Sequence, residues 1–273
     1  MKKFSIEILV LFFFFSNSVF AQNIDELVSV NIQDGIQQGV VTYQKGTTAH
    51  NLLIVLVPGH PSVFRPVINN NKLDEKSPSY FNFLIRSREF LIDSSSMTLV
   101  VDCFSKLGDT CTQKYQSSRQ RFLHLKALID NVKTNNNSIK DVWIVGTSFG
   151  TITSGFSALH GQDYFSGAIH TATIDPTAEK SFPILSDLNY KETRIPQLFV
   201  HHKNDGCSKT GFKYISDVSA STGIPLITVT GGYGWKGDVC QAMGAHGFKG
   251  KEEEVMKSIL STIRTKQFKS KEI

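Results

Sequence analysis

The residues best suited to chemistry form a G-x-S-x-G pentapeptide at 146–150, centred on Ser148. An apolar run at 141–145 precedes the pentapeptide, and a segment compatible with a helix, 151–160, follows it. A sharp turn from strand to helix would push the serine hydroxyl out of the sheet, and flanking glycines would avoid collisions with the neighbouring helix and strand. The pattern predicts that Ser148 is a nucleophile.

A serine hydroxyl is a weak nucleophile at neutral pH, so it needs a base to take its proton and a carboxylate to orient that base. Asp205 is the best acid, because it precedes Gly206 and follows an apolar run, 197–201, at the strand end where open sheets place ligands. Asp175, after an earlier strand, is the alternative acid. His246 is the candidate base, because it lies on a glycine-containing loop before the last predicted helix.

The oxyanion that forms when a serine attacks a carbonyl group needs two backbone N–H donors. The N–H of Phe149, directly after the candidate nucleophile, is the expected first donor. The second is expected from the turn after the apolar run 52–57, where Pro61 has no N–H and Gly59 or His60 remains. We favour His60.

Alternating strand and helix patterns must position these residues. Apolar runs predict buried strands at 52–57, 97–101, 141–145, 165–174, 197–201 and 225–229. Helical spacing predicts helices at 80–91, 117–132, 151–160, 210–221 and 252–263. Two antiparallel strands are expected within 22–50, and a loop at 61–78. The order predicts an α/β domain whose mostly parallel sheet has helices on both faces and an antiparallel edge.

The first 21 residues are typical of a secretory signal peptide. Lys2 and Lys3 precede an apolar stretch at 8–15, and cleavage is expected after Ala21. A retained membrane anchor is the alternative, but the apolar stretch is short for a span, which needs about 20 residues. The expected product is a secreted or periplasmic domain, 22–273, without stable membrane insertion.

Four cysteines lie in the exported part. An even number in an oxidising compartment favours two disulfides, of which three pairings exist. We favour Cys103–Cys111 and Cys207–Cys240, because the second bridge would tie the loop of the candidate acid to the loop of the candidate base. A zinc site is the competing use, but the chain has no C-x-x-C pair.

The formal net charge of +5 comes from scattered lysines and falls to +4 when Lys2, Lys3 and Glu7 leave with the signal peptide. No clustered arginine face of the kind that nucleic acids attract is evident in the sequence. A small-molecule substrate is therefore expected, and no nucleic-acid partner. The sequence makes no prediction about the oligomeric state.

Residues 51–263 resemble the α/β-hydrolase superfamily, in which the triad follows the chain order serine, acid, histidine. The resemblance rests on the elbow, on the turn at 58–60, and on Ser148, Asp205 and His246 in that order. It implies an α/β-hydrolase fold with little or no cap, and an exported serine hydrolase. Such an enzyme would cleave a carboxylic ester or related acyl bond through an acyl-enzyme, with no metal or cofactor. The alternatives are a peptidase or amidase of the same fold and a catalytically silent binding domain.

Overall fold

A nine-stranded sheet runs through the computed structural model, which describes residues 22–33, 35–178 and 188–273. The strands, including a separate short hairpin of β4 and β5, are in chain order β1 Asn23–Ile32, β2 Gly35–Gln44, β3 Leu52–Val57, β4 Ile68–Asn69, β5 Lys72–Leu73, β6 Ser96–Val101, β7 Asp141–Thr147, β8 Gly167–Thr171, β9 Gln197–His202, β10 Leu226–Val229 and β11 Lys271–Glu272. The expected signal peptide and part of the 175–195 connection lie outside the described residues.

The strands of the main sheet are ordered β1-β2-β6-β3-β7-β8-β9-β10-β11. The pairs β1–β2 and β2–β6 are antiparallel, and the remaining pairs, from β6–β3 to β10–β11, are parallel. This order confirms the prediction of a mostly parallel sheet entered through an antiparallel edge. The carboxyl ends of the parallel strands therefore meet along one edge, where the candidate catalytic residues follow β7, β9 and β10.

Helices cover both faces of the sheet. They are α1 Phe83–Arg86, α2 Gln113–Gln116, α3 Arg119–Asn135, α4 Gly150–His160, α5 Phe212–Thr222 and α6 Glu252–Thr265. The predicted apolar stripe of α3 is buried in one core cluster, with Leu125 and Ile129 fully enclosed. The stripe of α6, including Val255 and Ile259, is buried in a second cluster. The sheet is thus closed on both sides, and among the described residues no helix is long and apolar enough to cross a bilayer.

The predicted helix at 80–91 is wrong in its extent. Only α1 is α-helical, and a separate 3₁₀ turn, Arg88–Leu91, follows it after Ser87. Arg88 turns into the core, where its Nη2 lies 2.6 Å from Oδ2 of the fully buried Asp25. Burial acts to raise the pKa of Asp25, but the hydrogen bond and charge of Arg88, together with hydrogen bonds from Thr42 and the Leu73 N–H, outweigh it and lower the pKa. This ion pair of distant residues fixes the segment in a form that its periodicity does not encode.

Other elements differ in length or were not predicted. The expected loop at 61–78 contains the two short strands β4 and β5. The expected strand at 165–174 is shortened to β8, because Ala172 has a positive φ of 44° and turns the chain. The helix α2 and the strand β11 were missed; β11 has two exposed polar residues, which give no apolar signal.

Candidate active site

Ser148 occupies the turn between β7 and α4. Its φ is 51°, in the left-handed region that is unfavourable for a residue with a side chain. Hydrogen bonds hold this conformation: the Ser148 N–H donates to the Thr171 carbonyl over 2.9 Å, and the Thr151 hydroxyl donates to the Ser148 carbonyl over 2.6 Å. The strand–turn–helix elbow predicted from the sequence is therefore present.

The glycines of the pentapeptide are required by close backbone approaches. A Cβ on Gly150 would lie 2.3 Å from the Val57 carbonyl oxygen of β3. A Cβ on Gly146 would lie 2.4 Å from the Ser154 hydroxyl of α4. Both distances are far below ordinary contact, so a side chain at either position would displace the elbow. As expected from the sequence, side chains at these two positions would collide with the neighbouring strand and helix.

Asp205 and His246 form a buried pair. His246 Nδ1 lies 2.9 Å from Asp205 Oδ2, while the Cys207 N–H donates to Asp205 Oδ1 over 3.0 Å. Burial acts to raise the pKa of Asp205, but the hydrogen bonds and charges of His201 and His246 outweigh it and hold the pKa well below its ordinary value. Because Nδ1 donates to an ionised carboxylate, Nε2 of the neutral His246 ring is available as a proton acceptor.

Ser148 and His246 line the same cavity, which has a volume of about 370 Å³. The Ser148 hydroxyl has no hydrogen bond to a described residue, so no described side chain competes for its proton. A second cavity, of about 650 Å³, also includes Ser148 and is lined by Phe149 and Ile174 on its apolar side. Ser148 thus stands where two cavities meet, with His246 in the first.

The alternative acid, Asp175, is engaged elsewhere. Its Oδ1 accepts hydrogen bonds from the Thr177 N–H over 2.8 Å and from the Thr177 hydroxyl over 2.7 Å. These contacts cap a local turn after β8. Of the two candidate acids, the structure brings Asp205 and not Asp175 to His246.

The two residues expected to supply the oxyanion donors lie beside Ser148. The rings of His60 and Phe149 are in edge contact, with centroids 5.7 Å apart, and both residues line the second cavity. The backbone of the preceding Gly59 is so near that a Cβ there would lie 3.1 Å from Ser148 Cβ. The turn after β3 therefore reaches the nucleophile, and the assignment of the His60 and Phe149 N–H groups as donors stays a prediction.

Both favoured disulfides are present, Cys103–Cys111 and Cys207–Cys240. All four sulfurs are therefore bonded in pairs, and the zinc alternative fails for these cysteines. Cys207 follows Asp205 by two residues, and Cys240 together with Gln241 lines both cavities. The second bridge thus fastens the loop of the acid to a wall of the site.

Removing the second bridge should reduce both stability and turnover. The bridge spans 33 residues, and the chain-entropy relation gives a loss of about 3–4 kcal/mol in the free energy of unfolding for Cys207→Ser with Cys240→Ser. The control is Cys103→Ser with Cys111→Ser, which spans 8 residues and should lose less, about 2–3 kcal/mol. Urea unfolding and ester turnover are measured for both. Wild-type stability and turnover in the first double variant would disprove the bracing role.

Thr210 and His201 support the acid, and the sequence analysis missed both. The Thr210 hydroxyl donates to Asp205 Oδ2 over 2.9 Å and lies 3.1 Å from His246 Nδ1. His201 Nε2 donates to the Thr210 carbonyl over 2.7 Å and lies 3.4 Å from Asp205 Oδ2. The position of His201 at the end of an apolar strand is a signal in the sequence, and no pattern in the sequence marks Thr210.

The Thr210 hydroxyl should matter more than its methyl group. Thr210→Val removes a hydrogen bond to a buried carboxylate, typically worth about 1.5–3 kcal/mol, so kcat should fall roughly 10- to 100-fold. Thr210→Ser keeps the hydroxyl and should retain most of the activity. Steady-state kinetics and unfolding curves are compared for the pair. Equal losses of kcat in the two variants would show that packing of the methyl group, and not the hydrogen bond, is what matters.

Arg86 fastens the loop of the base from the other side. Its guanidinium donates to the Gly247 carbonyl over 2.6 Å and to the Phe81 carbonyl over 2.6 Å. The same group forms an ion pair with Glu252 over 3.1 Å at the start of α6. The residue after His246 is thereby tied to the segment that lines the first cavity.

No protein-family model matches the sequence, and no curated protein is significantly similar to it. Solved structures do match. Est1E from Butyrivibrio proteoclasticus superposes with a TM-score of 0.60 over 89% of this chain and 98% of that one, at 11% identity. An α/β serine hydrolase without a lid from Xanthomonas campestris gives 0.60 over 89% and 94%, at 10% identity. The chain has the α/β-hydrolase fold.

A cold-adapted esterase from an Arctic intertidal metagenomic library has the same architecture, with a TM-score of 0.53 over 77% of this chain and 85% of that one, at 10% identity. The α/β-hydrolase fold accounts for the position of Ser148 at the carboxyl edge of the sheet, after β7. It also accounts for the order in which the acid follows β9 and the histidine follows β10.

Proposed function

We propose that the chain is a serine hydrolase that cleaves carboxylic esters through an acyl-enzyme. The observation that supports this proposal most is the contact between His246 and Asp205, with Nδ1 of the histidine 2.9 Å from Oδ2 of the carboxylate. His246 also lines the same cavity as Ser148. A neutral histidine held this way presents its second nitrogen as a base. The similarity in fold to esterases supports the same class of reaction.

In the first half-reaction, the Ser148 oxygen attacks the ester carbonyl carbon while His246 Nε2 takes the hydroxyl proton. The cationic ring that results is stabilised by the ionised Asp205, whose carboxylate stays unprotonated. The negative charge on the carbonyl oxygen is stabilised by the N–H groups of Phe149 and His60. The C–O bond to the alcohol then breaks, and His246 donates its proton to the departing alcohol.

In the second half-reaction, a water molecule replaces the alcohol. His246 takes a proton from this water, the hydroxide attacks the acyl carbon, and the bond to Ser148 breaks as His246 returns the proton to the serine oxygen. One ester and one water give one carboxylic acid and one alcohol. Because His246 delivers the proton to the alcohol, the alcohol part of the substrate belongs on the His246 side of Ser148, in the first cavity.

We further propose that this reaction takes place outside the cytoplasm. The two disulfides fit an oxidising compartment. The amino-terminal sequence fits export with cleavage after Ala21. Mass determination of the mature protein from a cell envelope or medium fraction tests this; a mass that includes residues 1–21 would contradict it.

A fluorophosphonate probe tests the proposed function directly. We expect covalent labelling of Ser148, identified by peptide mass spectrometry, together with turnover of p-nitrophenyl acetate or butyrate. Labelling without turnover of any ester, but with cleavage of peptide substrates, would show an amidase instead. Absence of both labelling and turnover in the folded protein would show a silent binding domain.

A further inference from the structure

The cavity that Ser148 shares with His246 carries a single formal charge. Among the described residues that line it, Glu75 is the only Asp, Glu, Lys or Arg. The other polar side chains there are neutral hydroxyls and amides, including Ser77, Ser79 and Asn82. The second cavity differs, because Lys209 and Asp238 place both signs of charge on its wall. Glu75 is therefore the only formally charged side chain on this wall among the described residues, and the Arg86 guanidinium lies behind the wall, where it donates to the Phe81 carbonyl over 2.6 Å.

Glu75 has no hydrogen bond or ion pair with a described residue, whereas Asp74 and Glu89 both have such partners. Asp74 Oδ1 accepts from the Lys76 N–H over 2.8 Å, and Glu89 forms an ion pair with Lys72 over 3.2 Å. The Glu75 side chain is exposed and makes no comparable contact with the described part of the chain. Its charge is available to a molecule in the cavity.

Aromatic rings stand beside this carboxylate. Tyr80 and Phe81 line the cavity in edge contact, with ring centroids 5.5 Å apart, and Phe81 is 55% exposed. Burial raises the pKa of Tyr80; the charge of Arg88 opposes the rise, and the charges of Glu75, Glu89 and Asp25 add to it, so Glu75 is one of three carboxylates that act on this ring. A carboxylate beside accessible aromatic faces is the combination that binds ammonium groups in proteins.

We propose that this cavity binds the alcohol part of a cationic ester, with an ammonium group held between the Glu75 carboxylate and the rings of Tyr80 and Phe81. The inference rests on the proposed function, which places the alcohol on the His246 side of Ser148. The class of substrate is thus an ester of an amino alcohol. The formal net charge of +5 has the wrong sign to attract such a molecule, so any preference for a cation must arise locally.

The test uses two esters of nearly identical shape, butyrylcholine and its uncharged isostere 3,3-dimethylbutyl butyrate. We expect kcat/KM of the wild-type protein to be about tenfold higher for the cation, the ratio expected from one solvent-facing ion pair with one cation–π contact. Glu75→Gln should lower this ratio to about 3, because the ion pair is lost while the cation–π contact with the rings remains. The matched control is Glu253→Gln, a carboxylate of α6 that lies outside the cavity and pairs with Lys257, and this variant should keep the wild-type ratio. Raising the salt concentration should reduce the ratio, since the attraction is screened.

A wild-type ratio at or below 1, or an unchanged ratio in Glu75→Gln, would overturn the inference while ester turnover leaves the proposed function intact. A second measurement does not require turnover. Tetramethylammonium should bind the Ser148→Ala protein in calorimetry about threefold more tightly than it binds the protein that also carries Glu75→Gln, because one solvent-facing ion pair is lost. Equal affinities would overturn the cation site. If the tetramethylammonium affinities differ but the protein neither reacts with the fluorophosphonate probe nor hydrolyses any ester, the site stands and the proposed function fails.

Discussion

Ser148→Ala is expected to lower the turnover of p-nitrophenyl butyrate by at least about 10⁴-fold, because the covalent route through an acyl-enzyme is lost. The fold should persist. Alanine keeps a Cβ at the positive φ of 51°, so the backbone cost of the elbow is unchanged. The hydroxyl that disappears has no hydrogen bond to a described residue, so the free energy of unfolding should change by less than about 1 kcal/mol.

Ser79→Ala is the matched control for this variant. Ser79 also has a positive φ, 62°, and lines the same cavity, but its hydroxyl donates to the Val63 carbonyl over 3.1 Å. Its turnover should stay within about threefold of the wild type, because the Ser79 hydroxyl bonds to Val63 and not to Ser148, Asp205 or His246. Turnover is measured on proteins whose circular dichroism matches the wild type. Undiminished activity of the Ser148→Ala protein would refute the assignment of the nucleophile.

Asp205→Asn is expected to reduce kcat by about 10³- to 10⁴-fold, the loss found when a triad carboxylate becomes an amide. The reason is visible in the contacts. Asp205 accepts hydrogen bonds at both oxygens, from the Cys207 N–H and from the Thr210 and His246 side chains. Asparagine has a single oxygen, so it can accept hydrogen bonds either from the Cys207 N–H or from the Thr210 and His246 side chains, but not from both sides. If the NH₂ group faces His246, it forces the proton from Nδ1 to Nε2, and the ring can no longer act as a base towards Ser148.

The free energy of unfolding of Asp205→Asn should fall by about 1–3 kcal/mol, because one buried hydrogen-bond donor then faces an NH₂ group and loses its acceptor. This loss depends on pH. The pKa of Asp205 is lowered in the folded protein, so its contribution is present above the pKa of an unfolded carboxyl, near 4, and is lost as the pH falls below it. The wild type and Asp205→Asn should therefore converge in stability in acid. Asp175→Asn is the control and should retain activity; a loss equal to that of Asp205→Asn would reopen the choice of acid.

Most of the central sheet could be predicted, because each buried strand is a local run of apolar residues. The run at 52–57 is observed without change as β3, and 141–145 extends by two residues into β7. The elbow was predictable for the same reason, since strand, glycines and helix are contiguous. Asp205 and His246 could be chosen because their types and their order after strands narrow the possibilities to a few residues.

The elements and site residues that the sequence did not predict depend on contacts between distant parts of the chain. The segment at 80–91 has helical spacing, yet Arg88 binds Asp25, 63 residues earlier, and the helix is interrupted. The roles of Thr210 and Arg86 arise only when their loops meet Asp205 and Gly247. A single sequence contains no local pattern for such contacts. A polar loop residue that bonds to a distant segment cannot be distinguished, from its own neighbours in the sequence, from one that faces solvent.

The wall shared by the two cavities has a consequence for engineering. Cys240 and Gln241 line both the first cavity and the second, and Ser148 lines both as well. A change in size at Gln241 therefore alters the room in both cavities at once, and with it, under the proposed function, the room for both halves of an ester. Variant libraries meant to change only one cavity should leave Gln241 intact and vary Ile174 in the second cavity or Phe81 in the first. Libraries meant to change both cavities together should begin at Gln241.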